Sequence, residues 1–258
     1  MSVKNQEDNY LSSVKNALRI LRSFSVDEPE KKISELSMAL GLNKSTVSRT
    51  MSTLASEGFV FKDPDSQKYR LGFSILALGG ILNSSTDVYL ESQSVLNNLV
   101  ANIGETAHIS VLDGTDIIYL NKVECNHPVR FLTHVGRRNP AYCTSSGKVL
   151  LAHADQKTLD LILSQELKAY TSNTITKPQE LLAHLKEIKE NGFAFSYEEF
   201  NEGVSSIAAP VYNYEGKVVA AITVVGPIQR IQHHKVHGYA KKIIEAGMEI
   251  SYRMGYWK

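Results

Sequence analysis

The chain has 258 residues, 43% hydrophobic and 21% charged, and carries a net charge of +1 at pH 7. That composition supports a packed core and excludes global disorder. Two cysteines exclude a disulfide framework and fit a reducing compartment, and the short apolar runs exclude a transmembrane helix.

Length suggests one large or two ordinary domains. Residues 1–72 hold 11 Lys and Arg against 9 Asp and Glu, and the remainder 17 against 18. Bulk charge therefore carries no argument, and any nucleic-acid reading must rest on local placement. The polar opening from Met1 to Tyr10 has no apolar core of a signal peptide, so a cytoplasmic protein is expected.

Val14, Ala17, Leu18, Leu21 and Phe24 recur at helical spacing and predict a helix over 11–25. A charged loop containing Pro29 follows. Ser34 is expected to cap a second helix, with Ile33 and Met38 as staple partners, Leu36 and Leu40 inward and Gly41 as the stop. Asn43 is a good cap for a third helix running from Lys44 to about Glu57, and Leu42 and Val47 are its staple pair. Val47, Met51 and Leu54 form its apolar face. Lys44, Ser45, Ser48, Arg49 and Ser52 lie opposite, with no acid until Glu57. A helix apolar on one side and short, polar and cationic on the other suits a phosphate-lined major groove. Phe59–Lys62 and Lys68–Leu71 read as strands around the turn Asp63-Pro64-Asp65-Ser66. Three helices and a hairpin make a winged helix-turn-helix.

Phe73–Leu82 reads as an apolar linker helix, with Ile75, Leu78 and Leu82 on one face, broken at Gly79-Gly80 and ended by residues 83–86. Tyr89, Leu96, Leu99, Val100 and Ile103 mark a long helix. From Gly104 the period shifts towards two. Ala107–Leu112 and Ile117–Val123 read as a hairpin around Asp113-Gly114, and Val129–Val135 as a further strand. A helix enters at Ser145 from a loop containing Pro140, and two more cover about 158–164 and 179–191. Strands are expected at 193–197, 204–212 and 217–225, and a closing helix at 235–254. Hairpin strands with flanking helices predict an α+β domain on an antiparallel sheet. The expected division is 1–72, a linker over 73–86, and 87–258.

The most suggestive chemistry outside the third helix is Tyr142-Cys143-Thr144-Ser145-Ser146-Gly147-Lys148. Small hydroxyl residues and a glycine let a ligand approach backbone amides at a helix start, where unpaired N–H groups attract a carboxylate. Ser145 to Lys148 also spells S-x-x-K, but the accompanying β-lactamase elements and the upstream glycine of a P-loop are missing. His233, His234 and His237 read as surface residues rather than metal ligands, Glu198, Glu199 and Glu202 as a solvated loop, and Cys143 as a buried structural thiol. No catalytic residue, metal or cofactor is expected.

The segments LGLNKSTVSRTMSTLASEGFV, KYRLG, HVGRRNPAYCTSSGKVLLA and EGVSSIAAPVYNYEGKVVAAITVVG, in this order, resemble the IclR family of bacterial transcriptional regulators over nearly the whole chain. The resemblance implies a winged-helix DNA-binding domain, a dimerising linker helix and a GAF-like effector domain. It also implies a homodimer or dimer of dimers on a pseudo-palindromic operator, without a membrane. The GRRNP wording is similar to sugar-acid regulators of the 2-keto-3-deoxygluconate type. DNA contacts are expected from Lys44, Ser45, Thr46, Ser48 and Arg49, and from Lys68 and Arg70 on the wing. Arg49 is the residue placed to reach guanine O6 and N7.

The family's effector positions fall on Phe131, Asn139, Ser145, Ser146, Ser196, Ser206, Thr223 and Val225. Ser196 stands where aspartate is usual and Ser206 where cysteine is common. Thr223 and Val225 replace two serines, and Asn139 replaces an apolar residue. Loss of a carboxylate favours an acidic effector, and the hydroxyls and amide favour a polyhydroxylated one, so a small organic or sugar acid is expected. Repression relieved by the effector is the expected mode, with activation as the alternative. Two other classes remain open from sequence: a small-acid-metabolising enzyme on a GAF-like scaffold with an appended DNA-binding domain, and a protein–protein module.

Overall fold

A computed structural model describes residues 11–84, 87–127 and 134–257. The chain divides into two compact units, Met1–Leu82 and Asn83–Lys258.

The first unit begins with α1 (Ser12–Arg22), α2 (Ile33–Leu40) and α3 (Lys44–Ser56). A two-stranded antiparallel hairpin follows, β1 (Val60–Lys62) and β2 (Tyr69–Leu71), with Phe61 opposite Arg70. Ile20, Leu36, Val47, Met51, Val60 and Tyr69 form the buried core. The buried stripe of α1 is Ile20 with Leu21 and Phe24 packed beside it, whereas Val14 and Leu18 of the expected apolar face are exposed.

Between α2 and α3 the chain turns within three residues, Gly41, Leu42 and Asn43. Gly41 adopts a left-handed φ of 65°, which lets the Leu42 N–H donate to the Ser37 carbonyl. The Ser37 hydroxyl donates to the Leu42 carbonyl at 2.6 Å, closing the turn from the other side. Asn43 occupies the cap position of α3 as expected, but its side chain makes no cap hydrogen bond. Ser34 does not cap α2. Lys31 is bridged to Tyr69 of β2, which leaves Lys32 extended as the cap, and the Glu35 carboxylate accepts the Lys32 N–H at 2.7 Å. Met38 is 82% exposed and staples nothing.

α4 (Phe73–Ser84) runs through Gly79-Gly80 without the expected break. Neither glycine takes a left-handed φ. Two glycines weaken a helix without forbidding it, and only proline removes the hydrogen bond.

The second unit is built on six antiparallel strands: β3 (Thr106–Asp113), β4 (Asp116–Val123), β5 (Arg138–Pro140), β6 (Ala194–Tyr197), β7 (Val204–Tyr212) and β8 (Val218–Pro227). Their order is β5-β4-β3-β8-β7-β6. α5 (Asp87–Ile103) and α9 (Val236–Arg253) cover one face, with Leu96, Ile109, Ile207, Ile222 and Ile243 in that core. The other face is covered by α6 (Ser145–Ala152), α7 (Gln156–Leu163) and α8 (Pro178–Asn191), with Ile117, Leu151, Leu181, Ala208 and Ala221 between. The segment expected as a loop around Pro140 is strand β5, where Asn139 pairs with Ile117 of β4. The expected strand over 129–135 lies largely outside the described residues, and Val135 and Gly136 form a turn. No helix among the described residues is long and apolar enough to cross a membrane.

Candidate functional site

In the first unit the polar residues of α3 separate into two groups. The hydroxyls of Thr50, Ser52 and Thr53 donate to the carbonyls of Thr46, Ser48 and Arg49, one turn back along the same helix. The side chains of Lys44, Ser45, Thr46, Ser48 and Arg49 make no hydrogen bond or ion pair among the described residues. Lys44, Ser45 and Arg49 are exposed, and Thr46 and Ser48 are half-buried. The free donors are thus gathered in the first two turns, where the helix dipole adds a partial positive charge. On the hairpin, Arg70 is exposed and its guanidinium lies 5.0 Å from the Phe61 ring centroid, a stack that holds the cation outward. Lys68 is half-buried.

In the second unit the start of α6 is held from beneath. Thr144 caps it, its hydroxyl accepting the Gly147 N–H at 3.2 Å and its carbonyl the Lys148 N–H at 2.9 Å. The N–H groups of Ser145 and Ser146 have no intrahelical acceptor, as at any helix start. Gly147 sits where a Cβ would meet the Ala141 carbonyl oxygen at 2.1 Å, so no other residue lets the preceding 3₁₀ turn (Ala141–Cys143) fold this closely against α6. Ser145 donates through Oγ to Ser206 Oγ at 2.7 Å, joining α6 to β7.

The register of the sheet arranges the remaining positions. Ser196, Ser206, Val225 and Thr106 stand side by side across β6, β7, β8 and β3, and Ala194, Ala208, Thr223 and His108 form the next row on the same face. Asn139 is buried and donates from Nδ2 to the Tyr119 hydroxyl at 2.8 Å, and Arg137 Nε donates to Asn139 Oδ1. The Tyr119 ring lies edge-on to His108 with centroids 4.4 Å apart. The structure therefore brings Ser145, Ser206, Ser196 and Val225 together, and connects Asn139 to Thr223 through Tyr119 and His108. Phe131 lies outside the described residues.

His108, Ser110 and Tyr119 went unread in the sequence. Burial, with Lys122 nearby, pushes the His108 imidazole down to about 3, so the ring is neutral. The signal was present as the alternation of Ala107, Ile109 and Val111 with His108 and Ser110, which reads as one wet face until helices are known to cover both.

Glu199, expected on a solvated loop, is only 6% exposed and forms an ion pair with Lys148, which is fully buried. The Thr174 hydroxyl donates to the Glu199 carbonyl and fixes the loop that delivers the carboxylate. Burial lowers the Lys148 ammonium from its ordinary range, and Glu199 opposes that shift. Ser145 and Lys148 thus serve separate structural bonds, so S-x-x-K is no nucleophile pair here. The Cys143 thiol is pushed up to about 12 by burial, which fits a structural cysteine. His233, His234 and His237 are exposed, and no cluster of three metal-binding side chains occurs among the described residues.

Two family models match the chain: "Bacterial transcriptional regulator IclR C-terminal" over residues 82–252 and "IclR helix-turn-helix domain" over residues 13–64. The HTH-type transcriptional regulator XynR of Escherichia coli is 31% identical, over 95% of this chain and 98% of XynR. KdgR of Dickeya chrysanthemi is 34% identical, over 97% of this chain and 82% of KdgR. Among solved structures, an IclR transcriptional regulator from Alicyclobacillus acidocaldarius superposes with a TM-score of 0.84 at 32% identity, covering 95% of this chain and all of that one.

Proposed function

The chain belongs to the IclR family of bacterial transcriptional regulators, non-enzymatic DNA-binding proteins with an effector-binding C-terminal domain, and from that premise we propose how it reads DNA and what it senses. α3 enters the major groove of a pseudo-palindromic operator. Lys44, Ser45, Thr46 and Ser48 contact phosphates and base edges from its first turns, and Arg49 makes a bidentate contact with guanine. Lys68 and Arg70 of the wing touch backbone or minor groove. The observation that carries this is that the later hydroxyls of α3 bond their own helix, while the hydroxyls and cations of its first two turns make no hydrogen bond or ion pair among the described residues.

The effector is a small organic acid bearing hydroxyls, a sugar acid in the simplest case. Its carboxylate rests on the N–H groups of Ser145 and Ser146, and Asn139, Ser196, Ser206, Thr223, Val225 and Phe131 surround the rest. Support comes from the chemistry of that list, which contains hydroxyls and an amide but no carboxylate. The protein works in the cytoplasm as a homodimer or dimer of dimers through α4, whose Phe73, Leu76 and Leu78 expose apolar surface. Effector binding alters the dimer geometry, so that two half-sites are no longer gripped together, and repression is relieved.

A gel shift on the protein's own upstream DNA, with and without sugar acids, tests the reading. Arg49→Ala should weaken specific binding by about 1–3 kcal/mol while leaving non-specific binding nearly unchanged. An Arg49→Ala protein that shifts its operator as tightly as wild type removes the guanine contact.

A further inference from the structure

Four polar atoms on the α6-facing side of the sheet have no hydrogen-bond partner among the described residues: both ring nitrogens of His108, the Ser110 hydroxyl and the Thr223 hydroxyl. The three residues are 3%, 0% and 1% exposed. His108 and Thr223 are direct partners across β3 and β8, and Ser110 follows two residues along β3, so all three share one face. An unpaired buried donor or acceptor is costly, and most buried polar side chains in native proteins have partners. Four such atoms in one patch point to a group that supplies the missing bonds. The patch is continuous with the start of α6. Thr223 lies one row from Val225 and Ser206, and the Ser206 hydroxyl accepts from Ser145.

We propose that His108 and Ser110, with Thr223, form the hydroxyl-reading end of the effector site, taking the polyol portion of an acid whose carboxylate sits at Ser145 and Ser146. The proposal rests on the effector reading above and adds residues and a selectivity rule to it. A neutral imidazole offers one donor and one acceptor, and each Ser or Thr hydroxyl offers both. A ligand hydroxyl needs the same pair in return. The ring is uncharged at this buried position, so it does not serve a carboxylate, which belongs at the opposite end against the backbone amides. An aliphatic or aromatic acid leaves all four atoms unpaired. A site built to hydrogen-bond a hydroxyl rejects the analogue that lacks it far more strongly than an apolar pocket rejects a missing methylene.

Calorimetry on the full-length protein, with D-gluconate and D-galactonate against hexanoate and pyruvate, tests this. Wild type should bind at least one aldonate roughly a hundredfold more tightly than hexanoate. His108→Phe should lose at least about tenfold in aldonate affinity with hexanoate unchanged, and His108→Asn, which retains a donor and an acceptor, should recover part of the loss. Nitrogen NMR of histidine-labelled wild type needs no variant to fold, and aldonate should move the His108 ring resonances whereas pyruvate should not. An aldonate bound equally by wild type and His108→Phe, with unmoved ring resonances, overturns the role of His108 and leaves the effector reading standing. Hexanoate or pyruvate binding as tightly as the aldonates overturns the hydroxyl-reading end alone. A wild-type protein that shifts its operator yet binds none of the four acids at millimolar concentration defeats the effector reading itself, and this proposal with it.

Discussion

His108 and Lys148 are both buried between the sheet and α6 and meet opposite fates. Lys148 keeps company with Glu199, and together they tie α6 to the loop after β6. Removing one partner of such a pair leaves an uncompensated buried charge, a far larger loss than the pair's own net worth. His108 has no counter-charge among the described residues and stays neutral, its imidazole held by burial at about 3 against an ordinary 6.5. Between those two values the unfolded chain binds the proton and the folded chain refuses it. Stability therefore rises with pH across that window and falls on acidification, by roughly 1.4 kcal/mol for each pH unit below 6.5. His184 and His153, both lowered chiefly by burial, act in the same direction. His108→Gln should remove about 2 kcal/mol of the stability that wild type loses between pH 7 and 5, read as a smaller shift in urea midpoint. An unchanged shift would mean that His108 is not the group refusing the proton.

Among the elements, α4 is the one whose continuity ran against its sequence. Gly79 and Gly80 lie in its interior, where nothing among the described residues comes within 4 Å of an added Cβ at either position. Alanine there lowers the conformational entropy of the unfolded chain without a steric penalty. Gly79→Ala and Gly80→Ala should each stabilise the helix by about 0.5–1 kcal/mol, measured as a rise in thermal midpoint. Loss of stability from either would show that the glycines serve a bend or a close contact. α3 shows the reverse economy. Its Thr50, Ser52 and Thr53 hydroxyls bond their own helix, whereas the side chains of Lys44, Ser45, Thr46, Ser48 and Arg49 make no hydrogen bond among the described residues.

At the scale of the whole molecule, two compact units must communicate if an acid bound in one alters the grip of the other. Linkage then sets a numerical requirement: the factor by which the acid weakens operator binding must equal the factor by which operator weakens acid binding. Anisotropy titrations of labelled operator with and without a bound aldonate, paired with calorimetry of the same aldonate on free and operator-bound protein, should return equal factors. Unequal factors would mean that the acid acts other than by shifting a binding equilibrium.

α3, the turn before it and the β1–β2 hairpin were legible from residue order. Gly41, the Val47-Met51-Leu54 stripe and the Asp63–Ser66 turn act through neighbours one to four positions away, and that range is what sequence patterns encode. The start of α6 was legible for the same reason. The polar floor beneath it was not. Whether His108, Ser110 and Glu199 face water or protein depends on which side of a strand a distant helix covers, and on the register that sets Thr223 beside His108. Local order alone thus specified the exposed polar face of α3. Only tertiary packing, by covering both faces of the sheet with helices and withdrawing water, left His108, Ser110 and Thr223 buried without a hydrogen-bond partner among the described residues.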